Sequence, residues 1–124
     1  MEKKIRIMTG ELKVEAELND SETARLIWES LPIESSNNLW GEEIYFSIPV
    51  KAKQEKGARE VVAAGELGYW PPGNAFCIFF GPTPASRGDE IRAASAVNII
   101  GKVSSDPKVF RKAKDGAKIT LEKT

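Results

Sequence analysis

The chain contains no histidine. That absence removes the usual general base near neutral pH and the commonest nitrogen ligand for metals. Ser-His-Asp and Cys-His chemistry are excluded with it. Cysteine occurs once, as Cys77, so neither an internal disulfide nor a Cys-rich zinc site can form within the chain. A single free thiol suits a reducing, cytoplasmic setting. Net charge is also absent: 18 basic residues balance 18 acidic ones. A general binder of nucleic acid or of anionic membranes needs a basic excess, so neither partner is expected. No apolar run approaches the roughly 18 residues of a membrane-spanning helix. The opening residues, Met1 to Arg6, lack the apolar core of a signal peptide. Internal repeats and low-complexity segments are missing too.

What is present has a globular balance, with 41% apolar and 29% charged residues in 124 positions. A chain of this length is expected to form one domain over residues 1–124, burying roughly two thirds of its unfolded surface without a staple. Ile5 and Ile7, then Leu12, Val14, Ala16 and Leu18, alternate with charged residues. This period of two predicts a hairpin turning at Thr9-Gly10. Asn19-Asp20-Ser21-Glu22 is a helix start, because short polar side chains accept free N–H groups and acids favour the positive helix end. Ala24, Ile27, Trp28 and Leu31 then fall on one helical stripe, which Pro32 ends. Ser35 to Asn38 reads as a loop by composition. Ile44, Phe46 and Ile48 alternate with Glu43, Tyr45 and Ser47 in a strand that stops at Pro49. The charged segment Lys51 to Glu60 reads as a solvated connection, with a flap over a site as the sharper alternative.

The stretch from Gly65 to Pro84 carries four of the seven prolines and half of the ten aromatics. It predicts a strand, a type II turn at Pro72-Gly73, an apolar strand, and a rigid exit through Gly81-Pro82-Thr83-Pro84. Phe76 to Phe80 is apolar on both faces, so both faces should be covered. After a small, polar segment from Ala85 to Ala94, Val97 to Val103 reads as a strand. Asp106-Pro107 starts a short helix, and Ala117, Ile119 and Leu121 close the chain as a last strand. About eight short strands with an early and a late helix describe a mainly β fold, a small closed barrel capped at its ends.

Several of these segments resemble the cyclophilins. Asn98-Ile99-Ile100-Gly101-Lys102-Val103, followed by a short helix and Lys118-Ile119-Thr120, is similar to their closing Phe-Gly-Lys-Val strand, short helix and Ile-Thr strand. Ile44-Tyr45-Phe46-Ser47-Ile48-Pro49 stands where they carry Phe-His-Arg-Val-Ile-Pro, and Gly65-Glu66-Leu67 resembles their Gly-Asp-Phe. The string from Tyr69-Trp70-Pro71-Pro72-Gly73-Asn74 through Ala75-Phe76-Cys77-Ile78-Phe79-Phe80 to Gly81-Pro82-Thr83-Pro84 resembles the signature of small prokaryotic cyclophilin-like proteins, which have no established function. The resemblance implies an eight-stranded cyclophilin-like β-barrel capped by one longer and one short helix. It also exposes departures. The arginine that cyclophilins place beside the prolyl bond aligns with Phe46 or Ser47, and their groove histidine has no counterpart.

The expected function is therefore binding rather than known catalysis. The partner would be a small apolar molecule or a proline-containing peptide, held in a groove built from Tyr69, Trp70, Phe76, Cys77, Phe79, Phe80, Pro82, Thr83 and Pro84. Phe76, Ile78 and Phe80 share one face at period two and read first as core, with Cys77 and Phe79 on the other. Cys77 has no histidine partner and an apolar setting that raises a thiol pKa, so it reads as wall rather than nucleophile. The adjacent pairs Glu42-Glu43 and Asp89-Glu90 read as surface charge, because neighbours on a strand point to opposite faces. No metal and no cofactor is expected. The alternative from another class is a prolyl isomerase with a relocated arginine, for which Arg59 and Arg87 are the candidates. A third reading is a non-catalytic interaction module.

Overall fold

The computed structural model describes residues 3–124, which form ten strands where about eight were expected, with an early α-helix and a late short helix. Strands β1 (Lys3–Thr9) and β2 (Leu12–Leu18) form the predicted hairpin, with Ile5, Ile7, Val14 and Ala16 turned inward. Helix α1 (Glu22–Ser30) starts at Ser21, whose Oγ accepts the Ala24 N–H at 3.2 Å, and buries Ala24 and Ile27. It is followed by β3 (Ile33–Ser36), β4 (Asn38–Leu39), β5 (Glu43–Ser47), β6 (Arg59–Val62), β7 (Glu66–Trp70), β8 (Ala75–Phe79), β9 (Ile91–Val103) and β10 (Lys118–Lys123). A short 3-10 helix, Pro107–Lys112, precedes β10 and is capped by Asp106, whose Oδ1 accepts the Lys108 N–H at 3.0 Å.

The strands pair as one sheet in the order β3-β10-β1-β2-β9-β7-β8-β5-β4, with β6 on β9. The sheet curls, and its two flanks meet where Ser35 Oγ on β3 donates to the Ser47 carbonyl on β5 at 3.1 Å. Inside the curl lies the main core. Phe46 stacks on Phe76 with 5.2 Å between ring centres, and Phe80 packs on Phe110 at 6.1 Å.

Strand β9 decides the rest of the architecture. It runs for 13 residues, and its two halves serve different layers. Ile100 and Val103 join the inner core beside β2 and β7. Ile91, Ala93 and Val97 instead pair alongside β6 and pack onto the outer face of β8, against Ala75, Cys77 and Phe79. Strand β8 is thus covered on both sides, as its all-apolar sequence requires.

Three expectations change. Ser35 to Asn38 is strand rather than loop for most of its length, because Ile33 to Ser36 pair with β10. Ladder pairing with a distant strand overrides a polar composition. Strand β9 begins at Ile91, so the end of the supposed polar linker is built into the second layer. The turn after Trp70 is a 3-10 turn, Pro71–Gly73, and the left-handed residue is Asn74 (φ 48°) rather than Gly73. Asparagine tolerates that region better than other side-chain-bearing residues, and Gly73 has another task.

Segment 51–58 is coil but not loose. The Glu55 carboxylate accepts the Thr23 N–H at 3.1 Å and the Thr23 hydroxyl, and the Glu55 N–H donates to Asn98 Oδ1 at 2.8 Å. Fully buried Asn98 completes the tie by donating to the Lys53 carbonyl at 2.9 Å and to Thr23 Oγ1 at 3.0 Å.

Candidate functional site

Where the outer layer stops short of covering the sheet, a pocket of about 260 Å³ opens. Its lining follows from strand alternation. Glu43 and Tyr45 stand on the outer face of β5, while Ile44 and Phe46 point into the inner core. Cys77 sits opposite Tyr45 on β8 and forms the floor. Trp70, at the end of β7, makes one wall, and Ala93, Ala94 and Val97 of β9 make another. Trp40, in the turn before β5, closes the rim.

Each aromatic is held by a specific contact. The Trp70 indole N–H donates to Ser95 Oγ at 2.7 Å, tying β7 to the outer half of β9. Its ring lies over Gly73, where an added Cβ would stand 2.9 Å from two ring carbons, so glycine makes room for the indole. The Trp40 N–H donates to the Glu43 carbonyl at 2.9 Å, closing a tight turn that carries both residues to the pocket. Gly41 within it has φ 61°, and a Cβ there would meet Pro84 and Thr83 at 2.9 Å. The exit loop grips the same turn through the Glu42 N–H, which donates to the Pro82 carbonyl at 2.9 Å.

The polar group in this apolar setting is Glu43. The residue is 5% exposed, and its Oε1 has no hydrogen-bond partner. Burial pushes its pKa up to about 7, well above the ordinary carboxylate range, only partly offset by a hydrogen bond from the neighbouring Cys77 thiol. Burial, and then the charge of the same carboxyl, pushes the Cys77 thiol well above its ordinary range. A thiol held protonated is no nucleophile. Glu42, next in the chain, is engaged elsewhere, accepting from Arg111 Nε at 2.6 Å. Among the described residues, no group of three His, Cys, Asp or Glu side chains is placed to hold a metal ion.

The residues singled out from sequence divide three ways. Trp70 and Cys77 line the pocket, and fully buried Phe79 packs behind it in the outer cluster. Tyr69, Phe76 and Phe80 belong to the inner core, on the opposite side of the sheet. The Tyr69 hydroxyl is spent inside, donating to the Val50 carbonyl at 2.6 Å and accepting the Ala52 N–H at 3.2 Å. Pro82, Thr83 and Pro84 do not line the pocket but brace the Trp40–Glu43 turn. The Thr83 hydroxyl donates to the Arg92 carbonyl. Neither candidate arginine reaches the pocket: Arg59 pairs with Glu66 at 2.8 Å, and Arg87 is exposed in the loop before β9.

The reading of Glu42-Glu43 as surface charge is corrected for Glu43, which the second layer buries. Trp40, Glu43, Tyr45, Ala93, Ala94 and Val97 were missed as lining residues. One signal pointed to them. A strand apolar on both faces, as β8 is, needs a cover over its outer side, and its partner strand β5 shares that side.

A curled, mainly β sheet with an outer-face pocket defines the class of protein. The family model described as cyclophilin-like matches residues 3–122, and the chain belongs to that family. The solution structure of a hypothetical protein from Archaeoglobus fulgidus is similar throughout. It has a TM-score of 0.84 and 39% sequence identity, and the match covers 99% of this chain and 95% of that one. No curated protein matches the chain. Among the described residues, no helix is long and apolar enough to cross a membrane.

Proposed function

We propose that this protein binds a small, largely apolar ligand in the pocket between β5, β8 and the outer half of β9, and that it does so without the arginine-based isomerase mechanism of cyclophilins. The observation that carries this reading is the pairing of aromatic walls (Trp40, Tyr45, Trp70) with one buried carboxyl group whose Oε1 has no partner and which no cation faces. Ligand sites are concave and mostly apolar, with few polar groups to orient what enters. The volume of about 260 Å³ is at the small end for such sites and suits one ring system or one side chain. A proline-containing peptide would place a single residue in it. Aromatic walls held by Ser95 and by the Trp40–Glu43 turn are formed in advance, which lowers the ordering cost of binding.

Catalysis of prolyl isomerisation would need a donor at the prolyl amide. The guanidinium of Arg59 is taken up by Glu66, and no arginine is among the residues lining the pocket. A cytoplasmic location, in keeping with the free thiol of Cys77, is part of the same proposal.

The test is an NMR titration with benzyl alcohol and, separately, with a short Ala-Pro peptide, alongside a prolyl isomerisation assay. Amide shifts should cluster on Trp40, Tyr45, Trp70 and Cys77, and Trp70→Ala should abolish them. The isomerisation rate should stay at background. Shifts scattered over the surface, or none, would sink the binding reading. A rate well above background would sink the non-isomerase part.

A further inference from the structure

The pocket holds a feature that a purely apolar ligand does not explain. Glu43 is almost wholly buried, its Oε1 is unpartnered, and three aromatic side chains line the same cavity. Resting on the binding reading above, we propose that the ligand is a small organic ammonium, an aliphatic or benzylic amine in its protonated form, whose N–H donates to Glu43 while Trp40, Tyr45 and Trp70 receive the cation and its apolar body.

A buried carboxylate without a partner costs free energy, and removing that cost requires a donor, preferably a charged one. The donor the protein places against it is the Cys77 thiol, a weak and uncharged one that leaves Oε1 unpartnered. The titratable groups facing Glu43 are the Cys77 thiol on β8 and the Tyr45 phenol on its own strand, and neither brings positive charge. The lining residues of β7 and β9, namely Trp70, Ala93, Ala94 and Val97, carry no charge. The nearest chain neighbour, Glu42, has its own cation in Arg111. A ligand cation fills the gap. Indole and phenol faces favour it further, because the negative ring face attracts cations most strongly where water is excluded. A neutral hydrocarbon would leave the carboxyl unpaired and gain only the apolar contacts.

Ligand charge and carboxyl protonation are then coupled. An ammonium favours the ionised form of Glu43, so binding draws a proton off whenever the empty site holds one. The empty-site carboxyl loses its proton near pH 7, so affinity should rise as pH increases from 6 to 8 while the amine stays protonated.

Benzylamine and benzyl alcohol match in size and differ in charge. Both would be titrated into the protein at pH 6 and pH 8, followed by tryptophan fluorescence and by the shift of the Trp70 indole N–H. Benzylamine should bind at least tenfold more tightly than benzyl alcohol at pH 8, with a smaller ratio at pH 6. Glu43→Gln, a substitution of nearly equal shape, should remove the preference, so that in the variant benzylamine binds no more tightly than benzyl alcohol. Equal affinities at pH 8, or a preference that survives in Glu43→Gln, would overturn the ammonium assignment and leave the pocket as an apolar site. If neither probe bound, the pocket reading and this inference would fall together. The pH comparison on the unaltered protein stands even if Glu43→Gln fails to fold.

Discussion

Glu43 shows how much one residue owes to its surroundings. In the sequence it is one of 18 acidic residues, adjacent to another, on a strand whose alternate positions are apolar. In the fold it is buried with its pKa raised to about 7. Below the ordinary carboxylate range, both folded and unfolded chains keep the proton. Between that range and about pH 7, the folded chain holds a proton that the unfolded chain has lost. Stability from this group is therefore fully present at low pH and falls as pH rises through that window. A shift of this size corresponds to at most about 3 kcal/mol. Glu43→Gln should remove the loss, so its stability relative to the parent should be about 2 kcal/mol more favourable at pH 8 than at pH 5. Urea unfolding at the two pH values measures this, and parallel pH profiles would rule out the carboxyl as its source.

At the scale of elements, the strap Gly81 to Pro84 and the turn Trp40 to Glu43 act together. The strap reads in sequence as a groove rim, because two prolines bound it. Its contacts give it another job. Pro82 accepts from Glu42, and Pro84 and Thr83 press against Gly41. The strap thereby places Trp40 and Glu43 at the pocket without lining it. Gly41→Ala should be destabilising by about 1–3 kcal/mol, since it adds a Cβ at a left-handed position against backbone and a proline ring. It should also weaken benzyl alcohol binding by displacing Trp40. Thermal melts paired with the fluorescence titration check both effects. Unchanged binding in a folded variant would show that the turn does not position the site.

At the scale of the whole molecule, the second layer is what makes a pocket. Strand β9 leaves the inner sheet near Asn98, which bonds to Thr23, Lys53 and Glu55 at that crossover and so ties α1, segment 51–58 and β9 together. Asn98→Ala would remove the partner of the Glu55 N–H and of the Lys53 carbonyl in a part-buried setting, where a group left unsatisfied costs about 1–3 kcal/mol. A net loss of about 2–4 kcal/mol is expected, with faster amide exchange confined first to residues 51–58 and α1. Exchange rising uniformly over the whole sheet would show that the node has no local role.

Much of this was legible in the chain itself. The period-two runs marked β1, β2 and β5, the apolar run Phe76 to Phe80 marked β8, and Asn19 to Glu22 and Asp106-Pro107 marked the helix starts. The missing histidine and lone cysteine excluded whole classes of chemistry before any fold was known. Those readings rest on local physics: alternation, caps, and which functional groups exist at all. The doubly apolar β8 even required a covering layer. Only the tertiary structure decided what that layer is. Alternation sorts side chains onto two faces but does not say which face another part of the chain will bury. Ile91, Ala93 and Val97 come from far along the sequence to cover the outer face, and with them Glu43 passes from a solvated charge to a buried carboxyl with one oxygen unpartnered. The same pairing sends Tyr69, Phe76 and Phe80 inward and leaves Trp70 and Cys77 beside Trp40 and Tyr45. A site of this kind belongs to long-range contacts, whose partners are set by the collapse of the chain and not by their neighbours in sequence.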